Sequence, residues 1–297
     1  MSGPGISVLF GFIAVALAYV IVLRALKRRA YRPVQIKEAQ LNPTELDRYA
    51  RHITLREIGG AGQVKLSGAK VLVIGAGGLG SGALPYLAAA GIGTIGIIDD
   101  DLVENTNLQR QVIHDDAMVG EPKVKSAMRS LKRQNPYVNV HPYQRRLDAS
   151  NAEALFESYD LVLDGTDNFE TRYLVNRVAT NLKKPLIAAA LTQWEGQISL
   201  YDPAHGTPCY QCIFPEAPAR ELVPSCAEAG VLSSLPGVIG ALMASEAIKH
   251  ITGAGQTLAG RLLMWDALDA ESRVIKIRKR DDCPVCGATA TTAPKPQ

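Results

Sequence analysis

The longest apolar run in the chain comes first. Residues 3–23 carry no charge, and 6–23 are almost wholly apolar. A helix rises about 1.5 Å per residue, so roughly 20 residues cross a hydrocarbon core of about 30 Å. The run therefore predicts a single transmembrane helix over residues 4–24. Five cations follow it within nine residues, namely Arg24, Lys27, Arg28, Arg29 and Arg32, and no charged side chain precedes it. The positive-inside rule then puts the N-terminus outside and the rest of the chain in the cytoplasm. A cleaved signal peptide is the competing reading, through Ala16-Leu17-Ala18. Against it, the basic leader region is missing and apolar residues continue beyond the small-residue site. Residues 25–43 read as a basic juxtamembrane linker in which Pro33 and Pro43 oppose regular structure.

Beyond the linker the pattern changes to short β-branched runs alternating with helical periodicity. Thr44 with Asp47 resembles a helix start, and that helix would carry Arg48, Tyr49 and Arg51. Strand-like runs follow at 70–74, 94–98, 160–163 and 185–189. Helical patterns run from Gly80 through Ala90 and from Glu170 to Leu182. This alternation predicts an α/β fold whose parallel sheet is covered by helices on both faces, a Rossmann-like arrangement. Three later strand-like runs, at 197–201, 261–265 and 273–277, are joined by loops, so the sheet is expected to be mixed. Residues 231–245 are nearly uncharged but short for a second span, and Gly237, Gly240 and Ser245 fit a helix packed inside the domain. The folded domain is placed at 44–287. The Thr/Ala/Pro-rich tail at 288–297 is expected to be disordered.

The first strand runs into Gly75-Ala76-Gly77-Gly78-Leu79-Gly80, which fits G-x-G-x-x-G between a strand and a helix. Glycine permits the tight turn and lets backbone amides approach phosphate, while the helix N-terminus adds partial positive charge. Asp99 ends the next strand, where a carboxylate can accept from ribose hydroxyls. The loop alone predicts NAD as well as ATP. Asn107-Leu108-Gln109-Arg110-Gln111 and Gly120-Glu121-Pro122-Lys123 change that balance. Nucleotidyl transfer moves negative charge onto the leaving phosphates and calls for cations there, whereas hydride transfer does not. Arg110 and Lys123 are candidates for that role. Cys209-x-x-Cys212 and Cys283-x-x-Cys286 supply four potential thiolates, for which a closed tetrahedral zinc site is expected; redox dithiols or disulfides are the alternatives.

Taken together, these motifs resemble the family of molybdopterin-synthase and thiazole-biosynthesis adenylyltransferases, itself similar to the ubiquitin-activating enzymes. The resemblance covers residues 46–287. It rests on Arg48-Tyr49-Ala50-Arg51, the glycine loop, Asp99-Asp100-Asp101, Asn107 to Gln111, Gly120 to Lys123, Asp164 to Asn168, both cysteine pairs, and Ser225 to Gly230.

The resemblance implies a role for each of these elements. Gly75, Gly77, Gly78 and Gly80 would cradle phosphate and Asp99 would hold the ribose. Asn107, Arg110 and Lys123 would bind the triphosphate, and Asp167 with Asn168 would lie beside it, with Asp167 holding Mg²⁺. Arg51 would reach the ATP of a neighbouring subunit, making the protein a homodimer. Cys226 matches a sulfur-transfer nucleophile of the thiazole branch that adenylation itself does not need. The implied reaction is adenylation of the C-terminal glycine carboxylate of a small ubiquitin-like sulfur-carrier protein. The small subunit of molybdopterin synthase leads and the thiamine-thiazole carrier is the alternative. Only eleven residues follow Cys286, so sulfur is expected from a separate donor. An NAD-dependent oxidoreductase and a non-catalytic membrane scaffold are the rivals from other classes. A net charge of +3 is too small to call for nucleic acid.

Overall fold

The computed structural model describes Tyr19, residues 41–218 and residues 229–288. Apart from Tyr19, the expected membrane anchor lies outside the described residues, as do most of the linker, Cys226 and the tail beyond Ala288. Among the described residues, no helix is long and apolar enough to cross a membrane.

Five strands form the parallel half of one eight-stranded sheet: β1 (Lys70–Ile74), β2 (Thr94–Ile98), β3 (Asn139–Tyr143), β4 (Leu161–Asp164) and β5 (Leu186–Thr192). Three antiparallel strands extend it: β6 (Glu195–Tyr201), β7 (Arg261–Asp266) and β8 (Glu271–Lys276). The spatial order is β3-β2-β1-β4-β5-β6-β7-β8. Successive side chains of a strand point to opposite faces, and β1 shows the consequence. Val71 and Val73 enter one core cluster while Leu72 and Ile74 enter the other. Because both faces are covered, the strand is a continuous apolar run rather than an alternating one.

The first face is covered by α3 (Gly59–Gly68), α4 (Gly78–Ala89), α5 (Lys123–Gln134) and α9 (Leu235–Thr252). Leu66, Leu84, Leu131 and Met243 are their fully buried contributions. On the opposite face lie α6 (Ala152–Glu157), α7 (Phe169–Asn181) and α8 (Tyr210–Ile213), burying Phe156, Val175 and Tyr210. The expected mixed Rossmann-like sheet is therefore present, with helices on both sides.

Three boundaries differ from expectation. The first helix, α1 (Pro43–Arg48), is capped by Asn42 in a capping box with Glu45 rather than by Thr44. It does not continue to Arg51: the chain breaks at Tyr49, and Ala50–Ile53 forms a separate short helix, α2. The break has a packing cause. The Tyr49 ring is buried, and its hydroxyl accepts a 2.8 Å hydrogen bond from Asn135 Nδ2. Finally, α9 starts at Leu235, with Pro236 in its first turn, and runs past Ser245 to Thr252. There Gly253 at φ 80° ends it in the left-handed conformation.

Candidate active site

The carboxyl ends of β1, β2 and β4 meet where the strand order reverses, the place at which open α/β sheets hold their ligands. Gly75 leaves β1 at φ 91°, a conformation that glycine tolerates. Gly80 is required for a different reason. A Cβ there would sit 2.0 Å from the Gly75 carbonyl oxygen, so only glycine lets α4 start this close to the strand. At Gly78 a Cβ would meet Pro236 at 3.2 Å, whereas at Gly77 the nearest atom is Gln111 Nε2 at 3.6 Å. The first-turn amides of α4 have no intrahelical acceptor and carry the positive end of the helix dipole.

Asp99 faces this loop. One carboxylate oxygen accepts from the Ala76 N–H at 2.7 Å and the other from the Asp101 N–H at 2.8 Å. Burial raises its pKa above the usual carboxylate range. Each oxygen keeps a lone pair able to accept one further hydrogen bond. Asn107 lies on a short 3₁₀ turn and accepts from Arg110 Nη2 at 2.9 Å, which pre-orients the guanidinium. Lys123 opens α5. Its ammonium is 6% exposed and pairs at 2.7 Å with Asp101, which is 64% exposed. In this arrangement the Asp101 carboxylate occupies the ammonium that the triphosphate is expected to use.

Asp164 ends β4 and accepts from both the amide and the hydroxyl of Thr166, at 2.9 and 2.6 Å. Asn168 caps α7 by accepting from the Thr171 N–H at 2.9 Å. The cap therefore belongs to Asn168 and leaves Asp167 available. The Asp167 carboxylate is exposed at the mouth of the site, and no described residue donates to it. As an oxygen donor beside a phosphate loop it suits a hard cation such as Mg²⁺. Arg51 sits elsewhere. It lines an open cleft of about 460 Å³ with Arg48, His52, Tyr86 and Ala90, at the C-terminal end of α4. The phosphate loop is at the other end of that twelve-residue helix, about 18 Å away by helical rise.

The four cysteines converge as expected. Their Sγ atoms lie within 4.8 Å of one another, with 3.9 Å between Cys209 and Cys212, 3.6 Å between Cys209 and Cys283, and 3.3 Å between Cys212 and Cys286. None is in a disulfide. A tetrahedron of sulfurs about 2.3 Å from zinc has edges of about 3.8 Å, so the set fits zinc. Burial pushes the Cys209 thiol far up and Cys286 up to about 11. Deprotonated sulfur at this depth needs a cation beside it. Asn176 on α7 ties the cluster to the domain: its Oδ1 accepts from the Tyr210 N–H at 2.9 Å, and its Nδ2 approaches Cys209 Sγ at 3.7 Å.

The ThiF family model matches residues 49–285, spanning both the loop and the cysteine cluster. The chain belongs to the ThiF family. Similar family members include a sulfur carrier protein adenylyltransferase of Thermus thermophilus, 49% identical over 251 residues that cover 83% of this chain and 93% of that one. A SAMP-activating enzyme E1 of Haloferax volcanii is 47% identical, covering 83% of this chain and 91% of its own length. Among solved structures, E. coli MccB with ATP superposes with a TM-score of 0.71 at 26% identity, covering 86% of this chain and 77% of that one.

Two residues of this ThiF-family site were not singled out from the sequence. Arg172 is buried on α7, donates to the Ala189 carbonyl at 2.8 Å, and also bonds the Thr166 carbonyl next to Asp167. His114 is buried between the glycine loop and α5. Arg172 falls in the same Asp164–Asn168 neighbourhood, one helical turn on, and that spacing was a usable signal. No periodicity marks His114.

Proposed function

We propose that this protein is an ATP-dependent adenylyltransferase acting on the C-terminal glycine carboxylate of a small ubiquitin-like sulfur-carrier protein. One observation carries the reading: a glycine loop opening a helix, the Asp99 carboxylate bonded to that loop, and two cations, Arg110 and Lys123, belong to the same end of the sheet. Hydride transfer has no use for those two cations. In the reaction a carrier carboxylate oxygen bonds to the α-phosphorus of ATP. The bond from that phosphorus to the bridging oxygen breaks, and pyrophosphate leaves with the electron pair. The residues hold the triphosphate in line and neutralise the charge that accumulates on the leaving group. Arg110 and Lys123 would do this on the β- and γ-phosphates. Mg²⁺ held by Asp167 would supply further neutralising charge. Zinc on Cys209, Cys212, Cys283 and Cys286 would be structural, since four protein ligands close its shell.

The small subunit of molybdopterin synthase is the carrier we favour. Cys226, if it relays sulfur, favours the thiamine-thiazole carrier instead. A separate protein would donate the sulfur. The position of Arg51 supports a homodimer, because the residue lies too far from its own loop to touch the nucleotide there. Residues 4–24 would tether the enzyme to the cytoplasmic membrane from the inside. Deleting residues 1–40 should then move the enzyme from the membrane to the soluble fraction with its activity intact.

Carrier-dependent exchange of labelled pyrophosphate into ATP, measured with each purified carrier, tests the central reading. Exchange with one carrier is expected. Absence of exchange with both, together with NADH binding, would overturn it.

A further inference from the structure

We propose that His114 is a positioning residue for the nucleotide, a neutral imidazole strut that aims a phosphate-loop amide and fixes the loop against the helix carrying Lys123. The inference rests on the adenylyltransferase reading for its rate effects but not for its effect on ATP binding.

The geometry is that of a single peptide unit held on both sides. His114 Nε2 lies 2.9 Å from the Ala76 carbonyl oxygen, and Nδ1 lies 2.9 Å from Ser126 Oγ. A carbonyl only accepts, so the proton resides on Nε2. In the neutral ring Nδ1 is then an acceptor, and the Ser126 hydroxyl donates to it. Burial lowers the His114 pKa, and the neighbouring Lys123 ammonium lowers it further, so the neutral ring is the resident form at neutral pH.

The Ala76 carbonyl belongs to the same planar trans peptide as the Gly77 N–H, and the two point in opposite directions. By drawing the carbonyl toward the buried imidazole, His114 turns the Gly77 N–H the other way, toward the mouth of the loop. Among the described residues no acceptor takes that N–H. It is therefore presented to a ligand.

The strut also closes a ring of hydrogen bonds. The Ala76 N–H donates to Asp99, the Lys123 N–H donates to the Asp101 carbonyl at 3.0 Å, and Ser126 lies one turn along α5 from Lys123. Loop and ammonium are thus spaced by His114 on one side and by the Asp99–Asp101 segment on the other. Two donors destined for the same triphosphate need that fixed spacing, since a misplacement of about 1 Å costs roughly 10²-fold in rate.

Three variants test this in the full-length protein. His114→Leu keeps an apolar filling but removes both polar ends. His114→Gln retains a donor able to reach the Ala76 carbonyl. Ser126→Ala leaves the ring held at one end only, by the Ala76 carbonyl, and frees it from the helix carrying Lys123. Pyrophosphate exchange is measured well below the melting temperature of each variant, resolving kcat from the KM for ATP. ATP affinity is measured separately by calorimetry with a non-hydrolysable analogue.

His114→Leu is expected to lose about 10²-fold in kcat/KM and to bind the analogue more weakly. His114→Gln should recover most of both, and Ser126→Ala should fall between. The imidazole ¹H–¹⁵N spectrum of the wild type should report the Nε2–H tautomer. Unchanged analogue affinity and kcat/KM in folded His114→Leu overturn the proposal, as does an Nδ1–H tautomer. If His114→Leu does not fold, an unaltered KM and kcat in Ser126→Ala overturns it. Should the wild type show no exchange with any carrier, the adenylation reading fails. The analogue affinities then decide on His114 alone.

Discussion

The Lys123–Asp101 pair separates catalysis from stability within a single contact, and two substitutions read the two apart. The ammonium is 6% exposed and the carboxylate 64% exposed, at 2.7 Å. In Lys123→Met the apolar stem is kept, and the carboxylate left behind is already solvated. Removing the cation strands no charge at Asp101, although it takes away the ammonium that steadies the buried Asp99 carboxylate, so the melting temperature should fall less than in Asp101→Asn. The rate is another matter, because a donor aimed at developing phosphate charge is worth about 2.7–4 kcal/mol, a loss of 10²–10³ in kcat.

Asp101→Asn does the reverse. It leaves the buried ammonium without its counter-charge. Removing one partner of a fully buried pair costs about 3–5 kcal/mol, and the exposure of Asp101 places this case below that range. At the same time it frees Lys123 for phosphate, so ATP affinity should hold or tighten while stability falls. Urea denaturation and pyrophosphate exchange on both variants check the reasoning. A Lys123→Met enzyme that exchanges at the wild-type rate, or one that loses stability as much as Asp101→Asn, would refute it.

The same substitution at two glycines should have opposite signs. Gly80→Ala drives a methyl to 2.0 Å from the Gly75 carbonyl and should destabilise by at least the ~1–3 kcal/mol of ordinary overpacking, whereas Gly237→Ala in α9 meets nothing within 4 Å and should gain about 1 kcal/mol; urea midpoints decide. Metal analysis of purified protein should find one zinc per chain, and its removal by a chelator should lower the melting temperature. Folded, active protein without zinc would sink the site. Burial lowers the pKa of both His114 and His250. The unfolded chain therefore binds more protons than the native one just below the ordinary histidine value of about 6.5. Stability is full above that pH and falls as the pH drops through it, by at most about 1.4 kcal/mol per unit per histidine. His114→Gln should remove its share of that slope in pH-dependent urea titrations.

How far the site was legible follows from where its signals sit along the chain. β1, the glycine loop and Asp99 form one contiguous strand–turn–helix–strand passage, so local pattern placed them. The two cysteine pairs are 74 positions apart, yet each pair announces itself through its own spacing, and the fold needed only to bring them together. Strand β3 escaped because Asn139, His141 and Pro142 do not look like a strand. Its edge position explains the sequence, since proline is tolerated where no neighbour needs its missing N–H. Helix α5 escaped because five of its twelve residues are Lys or Arg. Its buried face (Val124, Ala127, Leu131) is too narrow to stand out against them.

His114 was illegible for a deeper reason. Its partners lie 38 residues back at Ala76 and 12 residues forward at Ser126, so nothing local distinguishes it from a solvated histidine. The residues that contact a nucleotide are drawn from motifs, because phosphate and ribose impose the same demands wherever they bind. The residues that hold those motifs at a fixed separation answer only to this particular packing. A strut such as His114 becomes visible when the hydrogen-bond partners of each buried polar atom are followed to their ends.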